Sequence, residues 1–215
     1  MQKTKILLVR HGQSEANVAG IFTGHSGYPL SKLGHEQAAR TAEYIKNTYK
    51  VDAVYSSDLP RAFQTAEYTA SIFNLPITTD ARFREINGGD WERIAFDELE
   101  VRYPEAYSLW RTDVGNARPS NGESVMELVD RVYSGLKAVA EANPGKCVMV
   151  ASHATPMRAA IWKAADVPVS EMQNLSWGAN CAVSEFEFTD GKLTAVSVNY
   201  VGHLVGMESK LPSNV

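Results

Sequence analysis

The stretch Ile6-Leu7-Leu8-Val9-Arg10-His11-Gly12-Gln13-Ser14-Glu15-Ala16-Asn17 decides the fold. Its four consecutive apolar residues show no polar alternation, which suits a strand buried on both faces. The polar residues behind it end the strand, and Ser14 opens a helix-start pattern. Two later stretches repeat the design. Ala53-Val54-Tyr55 runs into Ser56-Ser57-Asp58-Leu59-Pro60-Arg61, with Pro60 suited to a first helical turn. Cys147-Val148-Met149-Val150-Ala151 runs into Ser152-His153-Ala154-Thr155-Pro156.

Amphipathic segments fill the gaps. Ala38, Ala42, Ile45 and Tyr49 recur at helical spacing, as do Ala62, Ala66, Ala70 and Phe73. Val125, Leu128, Val129, Val132, Leu136 and Val139 mark the clearest helix, and Ser124 with Glu127 has the capping-box spacing at its start. These stripes read as core-facing packing. Ile77-Thr78-Thr79-Asp80 reads as a further strand. Near the carboxyl end the period becomes two. Phe186 and Phe188 alternate with Glu185 and Glu187, and Val196, Val198 and Tyr200 with Ser197 and Asn199. Asp190-Gly191 between them predicts a hairpin. Strands alternating with helices and closed by a hairpin give an α/β layered fold with a mixed sheet. Residues 82–122 are less regular. They carry Trp91, Phe96, Tyr103, Tyr107 and Trp110 among acidic residues, and read as a helical lid over one sheet end.

The chain has 215 residues, which fits one domain, 1–215, with the lid as an insertion at about 82–122. Its net charge of −4, from 21 basic and 25 acidic residues, argues against nucleic-acid or membrane-surface partners. Two cysteines are too few for a disulfide framework, and Cys147 reads as an inert core thiol. The amino end has too short an apolar run for a signal peptide or a membrane span, so a cytoplasmic location is expected. Nothing in the sequence reports the oligomeric state.

Ligands of open α/β sheets sit beyond the carboxyl ends of the strands. Here those ends carry Arg10-His11, Ser57-Asp58 with Arg61 close behind, and Ser152-His153. Parallel strands bring two arginines, two histidines and helix amino ends to one edge, a cationic pocket in an acidic protein. Its natural guest is a phosphate. A lone strand-end histidine is usually structural, and so His25, His35 and His203 are read. Joint occurrence at three strand ends is what points to function. No pair of histidines has metal-ligand spacing, so no metal and no cofactor are expected. There is no P-loop, no cysteine–arginine phosphate loop, no Asp-x-Asp nucleophile pair and no Gly-x-Ser-x-Gly elbow. A histidine nucleophile remains: the neutral ring attacks phosphorus while its other nitrogen donates to a carbonyl. The leaving alkoxide needs a proton, and Glu85, in Phe83-Arg84-Glu85-Ile86-Asn87-Gly88-Gly89, is placed to supply it.

Leu8 to Asn17 resembles the signature of the histidine phosphatase superfamily, the phosphoglycerate mutase-like group. The likeness runs on through Phe22-Thr23-Gly24, Leu30 to Ala38, Ser56 to Ala66, Arg84-Glu85-Ile86, Gly122-Glu123-Ser124, Ser152-His153 and Asn199 to Leu204. The resemblance implies a three-layer α/β/α sandwich with a mixed, mostly parallel sheet and a small lid. It implies His11 as the phosphorylated nucleophile and Glu85 as proton donor and then base. Arg10, Arg61 and His153 would hold the phosphoryl group. Asn17, Thr23 and Gly24 would line the substrate side beside Ala154. Two positions depart from the pattern. Ala154 stands where the family usually has glycine, and Gln13 where it often has glutamate.

The superfamily contains phosphatases and mutases. Mutases carry an Arg-His-Tyr-Gly run after the acid. Here the chain reads Ile86-Asn87-Gly88-Gly89-Asp90-Trp91-Glu92, which looks like the phosphatase branch with its Trp-Glu pair. The expected function is therefore a metal-independent phosphomonoester hydrolase acting on a small phosphorylated metabolite. A phosphoglycerate mutase and a non-catalytic phospho-ligand binding module are the alternatives. Arg84, Arg93, Arg102, Arg111 and Arg118 are the candidates for meeting a second anionic group.

Overall fold

The computed structural model describes residues 3–209; residues 1–2 and 210–215 of the expected domain lie outside the described residues. Its centre is a six-stranded sheet in the order β3-β2-β4-β1-β5-β6. The strands are β1 (Thr4–Arg10), β2 (Ala53–Ser56), β3 (Ile77–Thr79), β4 (Cys147–Ser152), β5 (Val183–Thr189) and β6 (Lys192–Tyr200). The first four run parallel, while β5 pairs antiparallel with β1 and β6 with β5. Asp190 and Gly191 make the β5–β6 turn with φ of 52° and 79°, the two positive values a type I′ hairpin needs.

The continuous apolar runs have the cause expected of them: both faces of the sheet are covered. Ile6, Leu8, Val148 and Val150 point into a core shared with α6 (Val125–Ala142) and α7 (Ala154–Ala165). Leu7, Val9, Met149 and Ala151 point the other way, against Ile45 of α2 (Lys32–Thr48) and Ala66 and Ala70 of α3 (Pro60–Phe73). The fold is thus an α/β/α sandwich with a mixed sheet. The capping box of α6 is formed, with Ser124 and Glu127 exchanging bonds, and its predicted stripe is buried. A shorter helix, α1 (Glu15–Ala19), carries a second box between Ser14 and Asn17.

Residues 82–122 form short 3-10 segments around α4 (Phe96–Arg102) and α5 (Pro104–Thr112). Their side chains Phe83, Ile86, Trp91, Leu99, Tyr107 and Trp110 are buried in the same core as Ile6 and Leu8. The segment is also stitched to the chain after α1, with Phe22 N–H donating to Ile94 C=O at 2.9 Å and Arg93 N–H to Phe22 C=O at 2.8 Å. Two expectations differ in detail. The strand through Val196, Val198 and Tyr200 forms, but these residues are exposed because β6 is a sheet edge. Cys147 is half-buried, since it begins β4 at the rim rather than in its middle.

Candidate active site

Register builds the site. Arg10 of β1 lies beside Ser152 of β4, so the next residues, His11 and His153, leave neighbouring strand ends together. Their rings sit 5.1 Å apart. Gly12 then passes so close to α2 that a Cβ would overlap the Gly34 carbonyl, which explains a glycine after the histidine. Its N–H donates to Thr65 Oγ1 of α3 at 3.0 Å and pins the turn.

His11 is buried, and its Nδ1 lies 2.6 Å from the Gly12 carbonyl. A carbonyl only accepts, so Nδ1 carries the proton and Nε2 keeps a lone pair. The Arg61 Nε–H donates to that lone pair at 3.3 Å. Burial, followed by the charges of Arg61 and Arg10, pushes the His11 pKa well below the usual histidine value. The ring is therefore neutral at neutral pH.

Arg61 is completely buried at the start of α3. Its other nitrogens donate to Ser26 C=O at 3.0 Å and Gly24 C=O at 2.8 Å. Burial lowers its pKa to about 10, which leaves it charged at pH 7. The loop supplying those carbonyls is tied down by Glu92, which accepts from His25 N–H at 2.8 Å and Ser26 Oγ at 2.7 Å. His153 is also fully buried, with Nε2 2.9 Å from Ser57 Oγ. Ser57 Oγ accepts from Leu59 N–H and still holds a proton and a second lone pair for the ring, so either ring tautomer can pair with it. His153 Nδ1 has no partner among the described residues, and in the tautomer whose Nε2 accepts from Ser57 it is a donor. Arg10 donates to Gly178 C=O while its Nε is likewise unpartnered. An unpartnered guanidinium N–H of Arg10 and a ring nitrogen that can carry a proton, both buried beside a cationic floor, fit an anion.

Glu85 faces the floor from the far side. One carboxylate oxygen accepts from Ile86 N–H at 2.8 Å and the other from Thr155 N–H, at the start of α7, at 3.4 Å. Its carbonyl accepts from His25 Nε2 at 2.9 Å and from Arg131 at 2.8 Å. Arg131 in turn pairs with Glu123 at 2.6 Å.

Arg10, His11, Asn17, Thr23, Gly24, Glu85 and Ala154 line one cavity of about 70 Å³ that is partly open to solvent. Arg61 and His153 lie buried against His11 rather than on the cavity wall. Sequence reasoning missed Asn180, whose side-chain amide donates to the His11 carbonyl and to Asn17 Oδ1, each at 3.1 Å. It also missed Thr155 and Trp177 on the wall, and the ties made by Arg131 and Glu92. None of the five candidate arginines lines the cavity. Arg84 pairs with Asp58, Arg102 with Glu98 and Arg118 with Glu127, while Arg93 and Arg111 are exposed. Among the described residues no three His, Cys, Asp or Glu side chains cluster to hold a metal ion. No helix among them is long and apolar enough to cross a membrane.

Fold and site together define an α/β protein with a cationic pocket and a buried neutral histidine at the carboxyl ends of its parallel strands. The family model of the histidine phosphatase superfamily (branch 1) matches residues 6–201, and the chain belongs to that superfamily. It is 32% identical over 205 residues to phosphoglycerate mutase-like protein 4 of Arabidopsis thaliana, covering 93% of this chain and 86% of that one. It is 30% identical to phosphoserine phosphatase 1 of Hydrogenobacter thermophilus, over 93% of this chain and 94% of the relative. The solved structure of Bacillus stearothermophilus YhfR superposes with a TM-score of 0.89 at 25% identity, covering 94% of this chain and 99% of that one. Relatives of this chain thus include phosphatases.

Proposed function

We propose that the protein hydrolyses phosphomonoesters without a metal, through a phosphohistidine on His11. The observation that carries this is the short Nδ1 bond to Gly12, which leaves Nε2 as the free nucleophilic end inside a cationic pocket. The incoming phosphoryl oxygens would take over the Arg61 Nε–H and meet the unpartnered nitrogens of Arg10 and His153. The α7 amino end adds a partial positive charge, with Ala154 and Thr155 at the cavity. In the first step His11 Nε2 bonds to phosphorus, the ester P–O bond breaks, and protonated Glu85 gives its proton to the leaving alkoxide. In the second, the Glu85 carboxylate takes a proton from water as that water attacks phosphorus. The P–N bond breaks and inorganic phosphate leaves. Asn17, Thr23 and Gly24 border the substrate, and residues 82–122 serve as its cap. The mutase alternative has less support, because among the described residues no basic side chain beyond Arg10 and His11 lines the cavity to meet the carboxylate of a phosphoglycerate.

The test is phosphate release by chelator-treated protein from a panel of phosphomonoesters, beside the variant His11→Ala. Release by the wild type, with none by a folded variant, is expected. Turnover by the variant at the wild-type rate would refute the nucleophile. Activity lost to chelator and restored by a divalent metal would refute the metal-free mechanism.

A further inference from the structure

We infer that the alcohol released by the enzyme is uncharged and apolar and carries an aromatic ring. This rests on the phosphatase reading of the same cavity and adds what that reading leaves open. Opposite the cationic floor the wall is built from Ile21, Phe22, Ile86, Phe96, Trp110 and Trp177. Glu85 is the one acidic residue on the cavity lining, and among the described residues Arg10 and His11 are the only basic ones there. A second anionic group on the substrate would be desolvated against rings and beside a carboxylate, with no partner. A sugar would bring several hydroxyls to a wall that offers them few acceptors or donors. A flat apolar group loses nothing there and gains burial.

The wall is preorganised. Phe22 stands edge-on to Trp91, Phe96 and Trp110, with ring centroids 5.5, 5.7 and 5.7 Å away. Trp110 stacks with Trp177 at 6.0 Å. The Arg158 guanidinium lies 4.1 Å from the centre of the Trp177 ring. Its Nε and Nη2 donate to the Met172 and Gln173 carbonyls, which holds the guanidinium against the tryptophan; Nη1 has no partner among the described residues, but Arg158 does not line the cavity. Rings held this way lose little freedom when a ligand docks. Phe96 and Trp177 keep part of their surface uncovered, and these are the residues a leaving group meets.

The experiment compares kcat/KM for 2-phenylethyl phosphate, glycerol 3-phosphate and 3-phosphoglycerate. All three release aliphatic alcohols, so intrinsic leaving-group reactivity does not set the order. A preference of roughly 100-fold for the phenylethyl ester over glycerol 3-phosphate is expected from burying a ring. The least favoured should be 3-phosphoglycerate. Trp177→Ala and Phe96→Ala should each shrink the preference about tenfold. The ratio is internal to each preparation, so a partly unfolded variant does not distort it. Equal or better use of glycerol 3-phosphate or 3-phosphoglycerate overturns the inference and leaves the phosphatase reading standing. So does a ratio that neither variant moves. Failure to hydrolyse any of the three overturns both.

Discussion

Replacing Arg61 by lysine separates charge from geometry. The guanidinium is fully buried and spends its nitrogens on His11 Nε2, Ser26 C=O and Gly24 C=O. An ammonium is a point donor on a flexible stem and cannot span all three. It would keep one carbonyl and release the other, together with His11 Nε2. A buried acceptor left unpaired costs about 1–3 kcal/mol, and a hydrogen bond to a charged group contributes about 1.5–3 kcal/mol. The fold should therefore lose about 2–4 kcal/mol, read for a chain of this size as roughly 4–16 °C in melting temperature. Losing the directed contact to a phosphoryl oxygen should lower kcat/KM by about 10- to 100-fold at unchanged charge. Thermal unfolding and steady-state phosphate release, on one preparation, measure both. A variant that melts within a degree of the wild type and turns over normally would refute the argument that the fork organises both loop and His11.

Glu85→Gln keeps the acceptor for the Ile86 N–H but holds no acidic proton. Its rate on alkyl phosphates should fall by about 10²–10⁴, while p-nitrophenyl phosphate, whose leaving group needs little help, should lose less than about tenfold. Equal losses would remove Glu85 from the proton-donor role. His203 is stacked on Tyr44 with ring centroids 4.7 Å apart, and burial pushes its pKa down to about 4. Its folded pKa lies below the unfolded value, so the unfolded chain binds the extra proton, and stability falls as pH drops from about 6.5 towards 4. His11 and His153 act in the same direction. The variant His203→Phe keeps a ring in the stack, and should show a smaller stability difference than the wild type between pH 5 and 7.5 in urea unfolding. An identical difference would place the acid sensitivity elsewhere.

What the sequence made legible was whatever has a short period or a local cause. The runs at Ile6 and Val148 announced strands because both faces are covered. The Asp190-Gly191 pair announced its hairpin because few residues accept positive φ at two successive positions. His11 and His153 stood out because strand ends point at ligands. Alternation at Val196 and Val198 was read correctly as a strand, yet alternation does not say whether anything covers the outer face. The aromatic residues between 82 and 122 suggested a lid, but their joining one core with Ile6 and Leu8 depends on contacts between distant parts of the chain. The same holds for the arginines of that segment: their partners Asp58 and Glu127 are not visible as a spacing.

The Trp91-Glu92 pair shows how such distant links carry function. As sequence it is only a likeness to one branch of the superfamily. In the structure Trp91 is buried in the core and fixes where Glu92 emerges. Glu92 then accepts from His25 N–H, Gly88 N–H and Ser26 Oγ. Those bonds hold the loop whose Gly24 and Ser26 carbonyls anchor Arg61, and Arg61 reaches the lone pair of His11. Gly24 has φ of +48° and a Cβ there would collide with the Glu92 carboxylate, so glycine and glutamate depend on each other. A carboxylate 81 positions along the chain from His11 is thus linked to it through one loop and one guanidinium. Loss of Glu92 should then reach catalysis by way of Arg61, with the same joint fall in stability and rate as Arg61→Lys, though Glu92 is absent from the cavity wall.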